Sequence, residues 1–288
     1  MRAAGRGGRL AGFSLLELLV GSFIGLLLVG LVLVQVVIAG RSQRLQAAQG
    51  QMMEDAQIAI ELLRADFMMS GYGRPLRAQS ASAGQASWQS TLDGPGLWAC
   101  DHGFASSSDN ARPNCAAASA NTPASSAVEI LYEADGYTTV VGSDGKPSDC
   151  LGNGLDAITA ADGGRVYITA NRWQINSTRA ELRCGGRGST GPQPLVENVE
   201  HMLLWWGLPV DAIDGSALRY VSAAQVTDFE QVRAVRLCLL LRSGEPVLGP
   251  DDSRSYTDCQ GSAASASDGR LRQAFWSTVA LNPTRRWP

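Results

Sequence analysis

Lysine is almost missing from this chain: of 24 basic residues only Lys146 is a lysine, and the arginines are scattered, with Arg285-Arg286 the one adjacent pair near the end. The formal net charge is −3, and no stripe combines basic with aromatic residues. The electrostatic footprint of a nucleic-acid binder is therefore lacking, and direct nucleic-acid binding is not expected. Histidine is nearly as scarce. His102 and His201 lie far apart in sequence, and neither has metal-type neighbours at helical spacing. No C-x-x-C occurs, which removes the zinc and thioredoxin-type readings. No G-x-S-x-G elbow is found, and no histidine is placed to complete a triad. Asp144-Gly145 and Asp162-Gly163-Gly164 resemble loops that hold calcium, but the first lacks the further spaced carboxylates, so a turn is the better reading. Asp251-Asp252 with Asp258 is one more cation candidate on the same weak footing. The chain reads as a protein without catalysis, cofactor or metal.

What the sequence does have is one uninterrupted apolar run. Leu18 to Ala39 is 22 residues without a charge. As a helix it extends about 33 Å, enough to cross a hydrocarbon core of about 30 Å. Its polar content is Ser22 and Gln35, and Gly21, Gly25 and Gly30 are of a type that membrane helices tolerate. A secretory signal peptide is the competing reading, with Val37-Ile38-Ala39 as its cleavage site. Such peptides carry a shorter apolar region, about 7–15 residues. One residue does not fit either reading: Glu17 stands at the margin of the run, behind Phe13 and Leu15-Leu16. A carboxylate toward the bilayer centre costs on the order of 2–4 kcal/mol, so it either has a partner or lies among the headgroups with no role. A free α-amine on Phe13, made by cleavage after Gly12, would be such a partner, offered by a neighbouring subunit.

The segment Gly12-Phe13-Ser14-Leu15-Leu16-Glu17, behind a basic leader with Arg2, Arg6 and Arg9, resembles the class III signal of type IV prepilins and type II secretion pseudopilins. The resemblance implies cleavage between Gly12 and Phe13 by a prepilin peptidase, N-methylation of Phe13, and use of Glu17 in docking subunits. It also implies a cytoplasmic leader with the remainder facing the periplasm, an orientation that charge bias supports only weakly because Arg41 and Arg44 follow the run.

Beyond the run, Leu45, Ala48, Met52, Ala56, Ile60, Leu63 and Phe67 recur at intervals of three and four, with Arg44, Glu54, Glu61 and Arg64 opposite them. Gly71, Gly73 and Pro75 stop the pattern. One helix from about residue 13 to about residue 70 is expected, its first half in lipid and its second packed on a domain. The methionines Met52, Met53, Met68 and Met69 are read as packing against the protein's own sheet rather than as a partner surface. Residues 78–127 are rich in Ser, Ala, Gly and Asn, with Trp88, Trp98 and Phe104 as isolated anchors, and read as a loop-rich insertion. Strands are expected at 127–133, 138–141, 165–170, 179–183, 199–206, 218–221, 232–241 and 271–281, with a polar loop over 250–269. The stretch 232–241 is apolar enough to be a central strand covered on both faces.

All six cysteines, Cys100, Cys115, Cys150, Cys184, Cys238 and Cys259, follow the anchor, which points to disulfides in an oxidising compartment. Six cysteines allow 15 pairings; pairing sequence neighbours (Cys100 with Cys115, Cys150 with Cys184, Cys238 with Cys259) closes the shortest loops.

The organisation expected is a leader over 1–12, a transmembrane half-helix over 13–40, a periplasmic amphipathic half over 41–70, and a β-rich, disulfide-containing domain over 71–288. The fold class is α+β, a long helix on a mainly antiparallel sheet. Arg64 to Tyr72, Pro194 to Glu200, Ala217 to Val221, Val232 to Leu237 and Phe275 to Leu281 are similar to stretches of PilW-type minor pilins, a looser likeness than the N-terminal signal. Many major pilins have a proline in the apolar helix, whereas this run has none and only the three glycines in its place. The resemblance implies a minor pilin that primes or takes part in filament assembly near the tip. Its partners would be the prepilin peptidase, other minor pilins, the major pilin, the inner-membrane assembly platform and the lipid bilayer. It would reside in the inner membrane, then in the pilus fibre. A type II secretion pseudopilin and a signal-anchored periplasmic binding module or enzyme are the alternatives.

Overall fold

The computed structural model describes residues 12, 14–77, 88–92, 95–105, 112–119, 125–160, 163–187, 191–210, 217–249 and 252–281. The chain divides into two compact units, 1–47 and 48–288. Helix α1 (Leu15–Met69) contributes to both. In the first unit its side chains from Leu15 to Ile38 are exposed, and this is the one described helix long and apolar enough to cross a membrane.

The second unit is built around the remainder of α1. Met52, Ala56, Ala59, Leu63, Asp66 and Phe67 form its buried stripe, stepping by three and four residues as a helical face must. Around it lie antiparallel strands, numbered in chain order. A sheet of β3 (Leu97–Cys100), β4 (Ala127–Ala134), β6 (Arg165–Asn176), β7 (Glu181–Gly185) and β8 (Gln193–Glu197) runs in that spatial order, with β5 (Ile158–Thr159) beside the start of β6. The second sheet has β9 (Val199–Pro209) and β11 (Ala234–Arg242) at its centre, flanked by β10 (Leu218–Val221) and β14 (Arg272–Ala280). Two small hairpins complete the set, β1 (Pro75–Arg77) with β2 (Trp88–Ser90), and β12 (Ser255–Thr257) with β13 (Ala263–Ser265). The α+β class follows from these elements.

One core joins the helix stripe to both sheets. Aromatic rings form its spine: Phe67 lies 6.1 Å from Trp206, Trp206 lies 5.3 Å from Phe229, and Phe229 lies 5.7 Å from Trp98. The helix ends where Gly71 takes φ +72°, a left-handed conformation that glycine adopts without steric cost. The chain then stitches into the first sheet, Gly71 N donating to Leu131 O at 2.9 Å and Glu133 N to Tyr72 O at 2.8 Å. Gly96 passes so close to Gly71 that a Cβ on it would collide with the Gly71 backbone.

Several sequence expectations need correction. Residues 138–141 form no strand: Asp135 Oδ1 accepts from Tyr137 N at 2.8 Å and Thr138 N at 2.9 Å, and this local turn displaces the ladder. Within 78–127, Leu97–Cys100 is not loop but the edge strand β3, paired with β4. The stretch 250–269 includes the β12–β13 hairpin. Strand β6 runs on to Asn176, and β7 starts at Glu181 because Ala180, at φ +56°, closes the turn before it. Leu45 and Ala48 are only half-buried, while Ala59 and Asp66 belong to the stripe instead. The methionines divide, with Met52 buried and Met53 and Met68 about half exposed.

Three disulfides join sequence neighbours: Cys100–Cys115, Cys150–Cys184 and Cys238–Cys259. Closing loops of 15, 34 and 21 residues restricts the unfolded chain, worth roughly 3–4 kcal/mol each in the chain-entropy model. The third bond ties the region of β12 and β13 to the outward face of β11, which buries Cys238 and Leu240 and covers that part of the central strand on its second side.

Candidate functional site

The residues singled out by the sequence lie at the start of α1. Gly12 is exposed, and Phe13 falls outside the described residues. Ser14 precedes the first helical residue and Glu17 is the third, the S-x-x-E spacing of a helix start. Ser14 Oγ accepts from Leu16 N at 3.2 Å, and Glu17 Oε2 accepts from Ser14 N at 3.4 Å. Two amides that the helix would otherwise leave unpaired are thus taken up locally, and a carboxylate sits where the helix dipole favours it. Sequence reasoning about Glu17 considered only partners on another chain and missed Ser14. The signal was present in the four-residue spacing. Glu17 remains exposed, and among the described residues its Oε1 accepts no hydrogen bond. It can therefore cap its own helix through one oxygen and still receive a donor through the other.

The other end of α1 holds a site that sequence reasoning did not find. Asp66 is buried in the core, and three sheet residues donate to it. Trp173 Nε1 lies 2.6 Å from Oδ2, Asn171 Nδ2 is 3.0 Å from each oxygen, and Tyr132 Oη is 3.0 Å from Oδ1. Asn171 is itself fixed through its Oδ1, which accepts from Thr169 Oγ1 at 2.9 Å and Cys150 N at 3.0 Å. Burial pushes the Asp66 carboxyl above its ordinary value, while the donated hydrogen bonds pull the other way. Burial and the nearby Asp66 charge push the Tyr132 hydroxyl upward in turn. The usable sequence signal was an aspartate on the buried i, i+3, i+4 row beside Leu63 and Phe67. A buried carboxylate with this many donors fixes the rotation and height of the helix on the sheet.

Several other charged side chains are engaged in structure. Glu133 receives Arg74 and Thr91 Oγ1, and Arg172 Nε reaches Glu129 at 2.8 Å. Arg272 lies between Glu200 and Asp268, with contacts of 2.7 to 2.8 Å. The hydrogen bonds from Arg272 hold the Asp268 carboxyl well below the usual carboxylate range. His102 is exposed, and His201, on β9, is half-buried with its imidazole pushed down chiefly by burial. The cation candidates are turn residues: Asp144 Oδ1 accepts from Lys146 N at 3.1 Å, Asp252 Oδ2 from Gly249 N at 2.6 Å, and Asp258 Oδ1 from Gln260 N and Ser262 N at 2.8 Å. Asp162 and Asp251 lie outside the described residues. Among the described residues no three His, Cys, Asp or Glu side chains converge as a metal site.

Residues 167–283, which begin within β6 and include all of the second sheet, match the family described as Type IV Pilus-assembly protein W. Residues 167–283 are thus similar to PilW proteins. Among solved structures, a type IV-like pilin from Thermus thermophilus is similar at 13% identity and a TM-score of 0.40, over 81% of this chain and 98% of that one. No curated protein matches.

Proposed function

We propose that the chain is a minor pilin of a type IV pilus, matured between Gly12 and Phe13 and methylated on Phe13, that takes part in priming the filament near its tip. The observation that carries this reading is a coincidence on one chain: a prepilin-type signal at Gly12 to Glu17 leads an exposed apolar helix, and residues 167–283 match a pilus-assembly family. Before assembly the helix holds the protein in the inner membrane, with the leader cytoplasmic and the domain periplasmic. Three disulfides suit an oxidising periplasm. The prepilin peptidase, the assembly platform, other minor pilins and the major pilin are its partners. In docking, Oε1 of Glu17 receives the α-amine of a neighbouring Phe13 while Oε2 retains its own helix cap.

Mass spectrometry of the mature N-terminus, from membranes of the native host, tests the processing. A chain beginning at methylated Phe13 is expected, and one that keeps the leader or begins near Gly40 overturns the reading. Glu17→Ala should abolish co-purification with other minor pilins. If it leaves both co-purification and pilus assembly intact, Glu17 does not dock. Co-purification with type II secretion components in place of pilins would move the same fold to that system.

A further inference from the structure

The second sheet has one face on the core and one face turned outward. Its outward face is closed at one end and open at the other. At the closed end the β12–β13 region is bonded through Cys259 to Cys238, and Leu203, Trp205, Tyr256 and Ala274 pack against the buried cluster of Cys238, Leu240 and Cys259, so that Trp205 stands at the border between the two ends. At the open end β9, β11 and β14 place Trp205, Arg236 and Trp276 side by side. Arg236 pairs in register with Trp205, and Cys238 with Trp276. The two indoles stack across β11, with centroids 5.4 Å apart and planes 19° apart, leaving Trp276 half exposed. The Arg236 guanidinium lies 4.3 Å over the ring of Tyr220 on β10. Arg236 is exposed, and among the described residues no carboxylate pairs with it.

Each feature of this strip points to a partner. Tryptophan, tyrosine and arginine are the residue types concentrated at the centres of protein interfaces. Water hydrates an exposed indole poorly, and elsewhere in this domain the large rings of Phe67, Trp173 and Trp206 are fully buried. The other arginines that lie along the outward rows show what the strip lacks: Arg272 carries both Glu200 and Asp268. Among the described residues Arg236 has the Tyr220 ring as its partner, which holds the guanidinium in place without neutralising it. A sugar-reading platform would surround its aromatic face with amides and carboxylates for the hydroxyls. Here the outward neighbours of Trp276 along β14 are Ala274 and Thr278.

We infer that the Tyr220–Arg236–Trp205–Trp276 strip is a docking surface for a protein segment that presents carboxylates beside aliphatic side chains. The aliphatic groups cover the Trp276 face, and a carboxylate meets Arg236 in a charge-assisted pair. The surface belongs to the sheet and does not depend on the helix or on the pilin reading. The full-length chain in detergent micelles can be titrated with a short labelled peptide alternating glutamate and leucine, and with its lysine–leucine counterpart. The acidic peptide should bind saturably. Arg236→Glu and Trp276→Ala should each weaken it by roughly tenfold or more, about what an anchor residue contributes. Trp276→Tyr should restore most of the loss, and Arg236→Glu should shift preference toward the basic peptide. Near-ultraviolet circular dichroism checks that each variant keeps its packing. Equal binding of both peptides, or variants that bind like the parent, would overturn the inference. So would Trp276-dependent binding of a neutral oligosaccharide without binding of the acidic peptide, which would make the strip a sugar site.

Discussion

Helix α1 contains two stretches with the same backbone and opposite chemistry. From Leu18 to Ala39 every side chain is apolar or small apart from Ser22 and Gln35, and the large ones are exposed. From Met52 to Phe67 one apolar stripe is buried with a carboxylate set into it, while Met53, Ile58 and Leu62 on the other side are exposed. A helix that is apolar all round needs an apolar solvent, and one with a single stripe needs a single partner surface. Propensity does not separate the two, since both are helical. What separates them is how the apolar surface is distributed, all round the first stretch and along one buried stripe of the second.

The largest effect should come from breaking the packed half. Phe67→Ala removes a fully buried ring that touches Trp206, and should lower unfolding stability of the second unit by about 3–5 kcal/mol. Leu26→Ala, in the exposed half, should leave that unfolding midpoint unchanged in the same denaturant titration in micelles. Equal losses would mean that the two halves are not energetically distinct.

The Asp66 site sharpens the contrast within the core. Trp173→Phe deletes the 2.6 Å hydrogen bond to a buried carboxylate, and a loss of about 1–3 kcal/mol is expected. Trp206→Phe should cost less, because Trp206 Nε1 is buried with no hydrogen-bond partner among the described residues. Chemical denaturation of the two variants side by side tests this. A larger loss for Trp206→Phe would show that ring volume, not the hydrogen bond, dominates.

Smaller still is the cap. Ser14→Ala should cost the helix start about 1 kcal/mol and speed amide exchange at Leu16, leaving exchange in the packed half unchanged. Unaltered exchange at Leu16 would show that the Ser14 cap contributes nothing in the membrane-mimetic setting.

The finest distinction is the sign of two pH dependences. The folded Asp66 binds its proton more tightly than the unfolded chain, whose value is near 3.8. Its contribution therefore lowers stability as pH rises from that value toward the raised one, and Asp66→Asn should remove this slope. Asp268 is the reverse, held low by Arg272. Its contribution is present above the unfolded value and is lost as pH falls through and below it, a slope that Asp268→Asn should remove. Unfolding midpoints followed across the acid range separate them, and slopes of the same sign would refute the assignment.

How much was legible beforehand can be judged from particular residues. The spacing of Met52, Ala56, Leu63 and Phe67 announced the buried face because periodicity encodes burial directly, and the continuous apolar stretch 232–241 announced a central strand. Leu97–Cys100 was not legible. Four residues inside a polar stretch carry too little pattern, and only pairing with β4 makes them a strand. Residues 138–141 misled in the other direction, since β-branched residues next to an aspartate serve a turn as readily as a ladder. Ser14 was readable as a helix cap from its spacing to Glu17.

By itself the sequence determined the apolar run, the Ser14 helix cap and the amphipathic stripe, all of which depend on residues within a few positions of each other. It also placed the cysteines where neighbours in sequence become partners in space. Only the tertiary structure decided that Asp66 would meet Tyr132, Asn171 and Trp173, at sequence separations of 66, 105 and 107 residues, and that Trp205 and Trp276 would stack on an open sheet face. The physical reason is range. Local dihedral preference and side-chain period are written along the chain, whereas hydrogen bonds and ring contacts across a sheet depend on strand order, which no short window of sequence contains.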